Sequence, residues 1–367
     1  MASRAEAWIE ICLKLPFSIP RLAGVFPLSF RGCNDKLNLK WQRKVLWCLG
    51  TILIIIVLVF WRLWRQESPS VFREFALDTM VEIQVWGPGA KEAAAAAMAE
   101  IRRLEGLLSQ YQPGSDLSRL ARTSGGVVDE ATYKVLGQAL QIANESHGAY
   151  DPTIGGLSLL WQQAREEQKP PDKVAIQQAH SQVGWQSVTL LPPNMVKLKE
   201  GIQLDLGGAA KGYAVDKALF VLKKRGIRRA LVNAGGQIGL LGTAPSGLWQ
   251  VGVQAPREEG LVAVLELKGG AVSTSGDYQR FFMYQGRRYH HLLDPKTGYP
   301  AAKCQSATVV AKTGLLADLL STACYLLGPK GGLELVEKYG AQALVVDSRG
   351  KLHTTAGLSY VSGKGRN

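Results

Sequence analysis

Four segments, Ala230-Leu-Val-Asn233, Trp249-Gln-Val-Gly-Val-Gln254, Val262-Ala-Val-Leu-Glu-Leu267 and Arg280-Phe-Phe-Met-Tyr-Gln-Gly-Arg-Arg-Tyr-His290, follow one another along the chain. All four are rich in the residues that suit a pleated, half-buried surface, and the last folds back on itself around Gln285-Gly286. Strands arriving in a run, not strictly alternating with helices, specify an α+β fold with mixed, mainly antiparallel sheets and helices packed on them. Downstream, Gly314 to Leu327 reads as a helix and Ala341 to Asp347 as a closing strand. Upstream, Ala209 to Arg225 is a helix ended by Gly226, a residue suited to the left-handed C-terminal cap. Ala131 to Ser146 and Ala90 to Tyr111 show helical spacing, the second with Ile101, Leu104, Leu107 and Leu108 on one face. Arg165 to Lys173 is a charged, proline-containing surface stretch, and Phe72 to Trp86 alternates as one strand until Gly87-Pro-Gly stops it.

The 367 residues are 46% hydrophobic and 20% charged, which excludes a disordered or collagen-like chain. The net charge of +13 is uneven. Residues 1–66 hold ten Lys and Arg against three Asp and Glu, so a uniformly basic nucleic-acid domain is disfavoured and no nucleic-acid partner is expected. The surplus surrounds an apolar run from Val45 to Trp61, centred on Ile52 to Phe60 and flanked by Trp47, Trp61 and Trp64. Its length approaches the short end of the ~17–25 residues that cross a bilayer, and tryptophans at both ends suit the interface. A cleavable signal peptide is the rival reading, but forty-four residues precede the run and no small-residue cleavage site follows. The excess of basic residues ahead of it puts the N-terminus in the cytoplasm. The expected organisation is a basic cytoplasmic segment at 1–44, a transmembrane anchor at 45–64, a linker at 65–71 and a catalytic domain at 72–367. Cys304 and Cys324 lie in the exported part; they pair as a disulfide or stand as a core residue and a free thiol.

Four islands carry chemistry. Gly148-Ala-Tyr-Asp-Pro places Asp151 before a proline, on a turn or extended backbone. Leu204-Asp-Leu-Gly-Gly-Ala-Ala-Lys reads as a strand ending in Asp205, a glycine turn and then a helix, which sets backbone N–H groups and Lys211 where a phosphate binds. It has neither the GxxxxGK[ST] nor the GxGxxG spacing. The third island runs through Ser273-Thr-Ser-Gly-Asp-Tyr278 and then Arg288 to Pro300, where His290 and His291 sit near Asp294; either could be a general base oriented by the carboxylate, and either could be a satisfied structural residue. Asp318 and Thr322 are four apart on a helix, so both oxygens face one way, as a hard cation such as magnesium requires, although a capping or buried polar pair has the same spacing.

Together the islands resemble the FAD:protein FMN transferase family, the ApbE-type flavin transferases. The resemblance runs from about Phe72 to Asp347 and includes Arg103-Leu-Glu-Gly-Leu-Leu-Ser-Gln-Tyr111, Ser115-Asp-Leu-Ser-Arg-Leu120, Leu231-Val-Asn-Ala-Gly-Gly236 and Trp249-Gln-Val-Gly-Val-Gln254. It implies an ApbE-like fold and an enzyme that cleaves the pyrophosphate of FAD with Mg²⁺. FMN passes to a Ser or Thr hydroxyl of an acceptor protein, a flavinylation, and AMP is released. The family pattern sets Leu77, Tyr111, Ala149, Tyr150, Asp151, Asp205, Lys211 and the backbone at Leu292 against the flavin nucleotide. It sets Asp318, Thr322 and the Gly208 carbonyl on the metal, and His291 as the base. Three positions depart from it: Leu77-Asp78-Thr79 stands where many members have Met-Gly-Thr, and Gln237 and Ser321 replace acidic residues.

Two other activities fit the same residues: an FAD pyrophosphatase giving FMN and AMP, which differs in its products, and a non-enzymatic FAD carrier, which would need neither His291 nor Asp318. With the N-terminus inside, the catalytic domain is expected on the outer, periplasmic face of the cytoplasmic membrane. The acceptor is expected to be a membrane-associated redox subunit bearing a target threonine or serine.

Overall fold

The computed structural model describes residues 35–363, the side chains of residues 35–40, 42 and 59–67 excepted. Cys12, Cys33 and the basic residues of the first 34 positions lie outside the described residues. The expected apolar run falls in a helix, Asp35–Glu67, on which Leu46, Leu49 and Ile52 to Leu58 are exposed. Among the described residues no helix is long and apolar enough to cross a membrane. Residues 59–64 of the expected anchor lie outside the described side chains.

The described residues from 62 onward form one compact unit. Its backbone is an eight-stranded sheet whose spatial order follows the chain: Ser70–Ala76, Thr79–Trp86, Arg229–Ala234, Gln237–Leu241, Gly270–Gly276, Cys304–Ala311, Gln342–Asp347 and Leu352–Thr354. Every neighbouring pair in it is antiparallel, as expected for an α+β chain. Four helices, Ala90–Leu108, Ala210–Lys224, Gly314–Leu327 and Pro329–Lys338, pack on one face. A three-stranded sheet of Trp249–Gln254, Leu261–Leu267 and Tyr360–Ser362 covers the other, turning Trp249, Val251 and Val253 inward on the period-two pattern of a one-sided strand. The chain leaves the main sheet three times on the way to the site. The excursion at 87–228 carries the first two islands, that at 277–303 carries the histidines, and the crossover after Ala311 carries Asp318.

Several expectations change. Phe72 to Trp86 is two strands, because Leu77 and Asp78 both adopt positive φ (56° and 57°) and close a two-residue hairpin turn. The segment entering Asp205 is not a strand: Gln203 makes an isolated parallel bridge to Ile154, and the rest is extended loop. The charged stretch at 165–173 joins two helices, Gly155–Glu166 and Lys173–His180. Cys304 and Cys324 are both buried free thiols, so of the two alternatives the disulfide is excluded and the core residue with a free thiol holds.

The helices Ala210–Lys224 and Gly314–Leu327 cross backbone to backbone, since a Cβ on Gly212 would fall inside the contact distance of the Gly314 carbonyl oxygen. The Gly212→Ala substitution is therefore expected to cost about 3 kcal/mol or more, because backbone cannot yield as a side chain does. A thermal melt of the full chain with an unchanged midpoint would contradict this close crossing.

Candidate active site

The Gly207-Gly208 turn opens the Ala210–Lys224 helix, and Asp205 shapes it: its Oδ1 accepts from the Gly207 N–H at 2.7 Å and its Oδ2 from Ser158 Oγ at 2.5 Å. Lys211 stands in the first helical turn and donates from Nζ to the Gly207 carbonyl at 3.0 Å. The Gly207 N–H is held by Asp205 and the Ala209 and Ala210 N–H groups by the Leu206 carbonyl, so what the turn offers is the positive end of a helix and an ammonium group in one place, an arrangement that favours a phosphate. A Cβ on Gly208 would lie 2.8 Å from Thr322 Oγ1 and 3.3 Å from the Tyr150 ring, so only glycine lets the turn approach that helix.

Opposite the turn, the buried Asp318 accepts from the Gly212 N–H through Oδ2 (2.9 Å) and from Ser273 Oγ through Oδ1 (3.3 Å). Hydroxyls crowd around it: Ser321 Oγ donates to Ser273 Oγ at 3.1 Å, and Ser275 Oγ lies 3.0 Å from Ser321 Oγ and 3.3 Å from Thr322 Oγ1. Burial raises the Asp318 pKa, with Lys211 and the two hydrogen bonds pulling the other way. Among the described residues no three His, Cys, Asp or Glu side chains gather as metal ligands. The donor set is a single carboxylate with hydroxyl and carbonyl oxygens, which suits a hard cation that keeps waters and shares phosphate oxygens, and suits no thiolate or imidazole metal. The Tyr150 hydroxyl, buried and without a hydrogen-bond partner, lies within the influence of Asp205 and Asp318. Both observations fit Mg²⁺ beside a pyrophosphate.

The two histidines separate cleanly. His290 is buried and both ring nitrogens are used: Nδ1 accepts from the Leu292 N–H (3.3 Å), so Nε2 carries the proton and donates to the Ala301 carbonyl (2.8 Å). Its pKa is lowered, by burial first. It is a structural residue that fixes the loop around Leu292, whose carbonyl in turn accepts from the Ala301 N–H at 2.9 Å. His291 has the opposite tautomer. Its Nδ1–H donates to the Arg280 carbonyl (3.4 Å), which also receives the His291 backbone N–H (3.2 Å), leaving the Nε2 lone pair free on a ring open to solvent. Desolvation by the groups packed around the ring, then Arg280, His290 and Lys211, hold its pKa below the ordinary imidazole value of 6.5. That direction keeps the ring neutral at pH 7.

Asp294 does not orient either histidine. Its Oδ1 accepts from the Lys296 N–H at 2.9 Å within its own loop. That loop is pinned by Trp161, which donates to the Gly298 carbonyl at 2.8 Å. Asp151 is likewise spent on architecture: Oδ1 accepts from the Thr153 N–H and Oγ1 (2.8 and 2.6 Å), and Oδ2 from the Trp185 N–H (3.0 Å). It holds Ala149 and Tyr150 in place. Half-exposed Tyr111 feels the charges of Asp205, Arg280 and Asp78. Arg280, which the sequence left unremarked, donates to the Asp78 carbonyl at 3.4 Å and so ties the hairpin of Leu77 to the histidine. Ser273 and Ser275 stand in the Ser273-Thr-Ser-Gly-Asp-Tyr278 stretch of the third island, and the structure gives their hydroxyls a definite place, around Asp318, Ser321 and Thr322.

The description of the ApbE family matches residues 77–345. A FAD:protein FMN transferase of Treponema pallidum is 32% identical over 312 residues, 78% of this chain and 86% of the relative. One from Escherichia coli is 32% identical over 257 residues, 66% and 73% of the two chains. The crystal structure of the ApbE protein from Thermotoga maritima superposes with a TM-score of 0.74 at 34% identity, covering 79% of this chain and 97% of that one. The apo flavinyl transferase ApbE of Pseudomonas stutzeri gives 0.69 at 31% identity, covering 79% and 95%. The chain belongs to the ApbE family.

Proposed function

We propose that the chain transfers FMN from FAD to a serine or threonine hydroxyl of an acceptor protein. The observation that carries this reading is the convergence of His291, with its free Nε2 within the influence of Lys211, and a glycine turn packed against the helix that bears the buried Asp318 and Thr322. The hydroxyl oxygen of the acceptor bonds to the FMN-side phosphorus, the bond from that phosphorus to the bridging oxygen breaks, and AMP leaves with the electron pair. His291 Nε2 takes the hydroxyl proton. The Gly207-Gly208 turn and Lys211 hold the pyrophosphate and spread its developing charge, the main task in phosphoryl transfer. Asp205 keeps the turn in shape, and Leu77 and Tyr111 line the flavin side. Mg²⁺, held by Asp318, Thr322 and the Gly208 carbonyl, would supply further neutralisation of the phosphate oxygens.

The test is intact mass of a threonine-bearing acceptor domain after incubation with the full chain, FAD and Mg²⁺. A gain of one FMN supports transfer. Free FMN and AMP with no gain on any acceptor would make the enzyme a pyrophosphatase, and FAD bound but unchanged would make it a carrier.

The proposal extends to place. The basic residues ahead of the apolar run and the tryptophans around it favour a retained single-pass anchor with the catalytic domain on the outer face of the cytoplasmic membrane. A membrane-associated acceptor then meets the enzyme at a raised effective concentration. The full chain is expected to stay in the membrane pellet through an alkaline carbonate wash, and protease outside intact spheroplasts should digest the catalytic domain. Release into the supernatant, or protection from protease, would overturn this placement.

A further inference from the structure

Three positions at four-residue spacing, Gly208, Gly212 and Asp216, run along the glycine turn and its helix. Three more, Gly314, Asp318 and Thr322, run along the crossing helix in the opposite direction. They meet pair by pair. Gly208 abuts Thr322, the Gly212 N–H donates to Asp318, and Asp216 accepts from Gly314 N–H through Oδ1 at 2.6 Å and from Leu315 N–H through Oδ2 at 3.0 Å. The first two pairs build the phosphate and metal site; the third lies one turn beyond it and touches neither.

We propose that Asp216 is a positioning residue that sets the register of the Gly314–Leu327 helix against the Ala210–Lys224 helix, and so places Asp318 and Thr322 opposite the Gly208 turn. This rests on the transferase reading above. The Gly314–Leu327 helix already has its own cap, Thr313, whose side chain accepts from the Leu316 N–H. Asp216 serves the two N–H groups that Thr313 leaves, and it does so from another helix, so the cap is also a crosslink. A carboxylate at a helix N-terminus is favoured by the dipole as well. Without it, the Gly212–Asp318 bond is the polar tie left between these two helices among the described residues, while the Gln237 amide ties the Gly314 carbonyl to a neighbouring strand (3.2 Å). Asp318 would then serve both as ligand and as the residue that holds the helices in register. A ligand held firmly by a neighbouring group binds its cation more tightly than one that must first be ordered, by about 10- to 100-fold.

The experiment titrates FAD into the full chain in detergent, with Mg²⁺ and with EDTA, on a His291→Ala background so that the donor is not consumed. The expected result is that Asp216→Ala loses about tenfold or more of the Mg²⁺-dependent gain in FAD affinity, while affinity in EDTA is unchanged. Asp216→Asn, which keeps the shape and one acceptor oxygen, should fall between it and the parent. If Asp216→Ala does not fold, Asp216→Asn alone decides. A lower melting temperature with the Mg²⁺-dependent gain intact would overturn the assignment and leave Asp216 a stability residue. A parent that binds FAD with no Mg²⁺-dependent gain would overturn the transferase reading first, and the assignment with it.

Discussion

His291→Ala is expected to lower the rate of FMN transfer by about 10² to 10⁴, the range general-base help supplies, while FAD affinity stays within a few-fold of the parent. The argument is tautomeric. His291 gives its Nδ1 proton to the Arg280 carbonyl and keeps a free Nε2 lone pair, whereas both nitrogens of His290 are committed to Leu292 and Ala301. The neighbouring substitution should therefore behave differently. His290→Ala leaves the Leu292 N–H and the Ala301 carbonyl unpaired in the interior, so it lowers the melting temperature before it touches chemistry. Because desolvation and the cations around it hold the His291 pKa below 6.5, the base is already deprotonated near neutrality. The acidic limb of kcat/KM, which reports the free enzyme, should then fall below pH 6.5 and disappear in the His291→Ala enzyme. Transfer that survives His291→Ala but is lost in His290→Ala would reverse the assignment.

How far the sequence could be read follows from what each segment buries. The helices Ala90–Leu108 and Glu130–Glu145 announce themselves because one face is apolar and the other is not, and Gly314–Leu327 because it is apolar almost all round. The central strands Gly270–Gly276 and Cys304–Ala311 do not. Neighbours pair on both of their edges, layers cover both faces, and small or hydroxyl residues fill them, so no alternation remains to be seen. The Leu77-Asp78 turn is hidden for another reason: two non-glycine residues take the left-handed region, and nothing in their identity demands it.

The site was legible in the same uneven way. Asp205, Lys211, Asp318 and Thr322 stand in islands whose spacing carries meaning, and the fold brings them together. What spacing cannot convey is which polar atoms are already spent. His290 looks as chemical as His291 until its hydrogen bonds are traced, and then it proves to be scaffolding, while Asp151 and Asp205 both spend their carboxylate oxygens on shaping the backbone around the site. Conversely Ser273, Ser275 and Arg280 acquire their roles only when remote segments meet. The match of Gly208, Gly212 and Asp216 to Thr322, Asp318 and Gly314 was present as two stripes of equal period, but nothing short of the crossing shows that they run antiparallel.

Asp318→Asn should move stability and function in opposite directions. The asparagine is isosteric and can still accept from the Gly212 N–H and meet Ser273, so both hydrogen bonds of the carboxylate have a successor. What disappears is a buried negative charge, and burial is the first cause of its raised pKa. A carboxylate with a folded pKa above its unfolded value contributes stability at low pH and loses it as pH rises through the folded pKa. In EDTA the variant should therefore melt at the parent's temperature or above, with the gap widening as pH is raised. Mg²⁺ should then stabilise the parent and leave the variant unmoved, because the one carboxylate of the donor set is gone. FMN transfer should fall by about 10² or more, the scale of losing a charge-stabilising group at a reacting phosphate. Asp318 would thus be a residue kept at a cost to the metal-free fold because the reaction requires its charge. A variant that melts lower in EDTA, or that still gains stability from Mg²⁺, would show that the carboxylate serves structure and that the cation is held elsewhere.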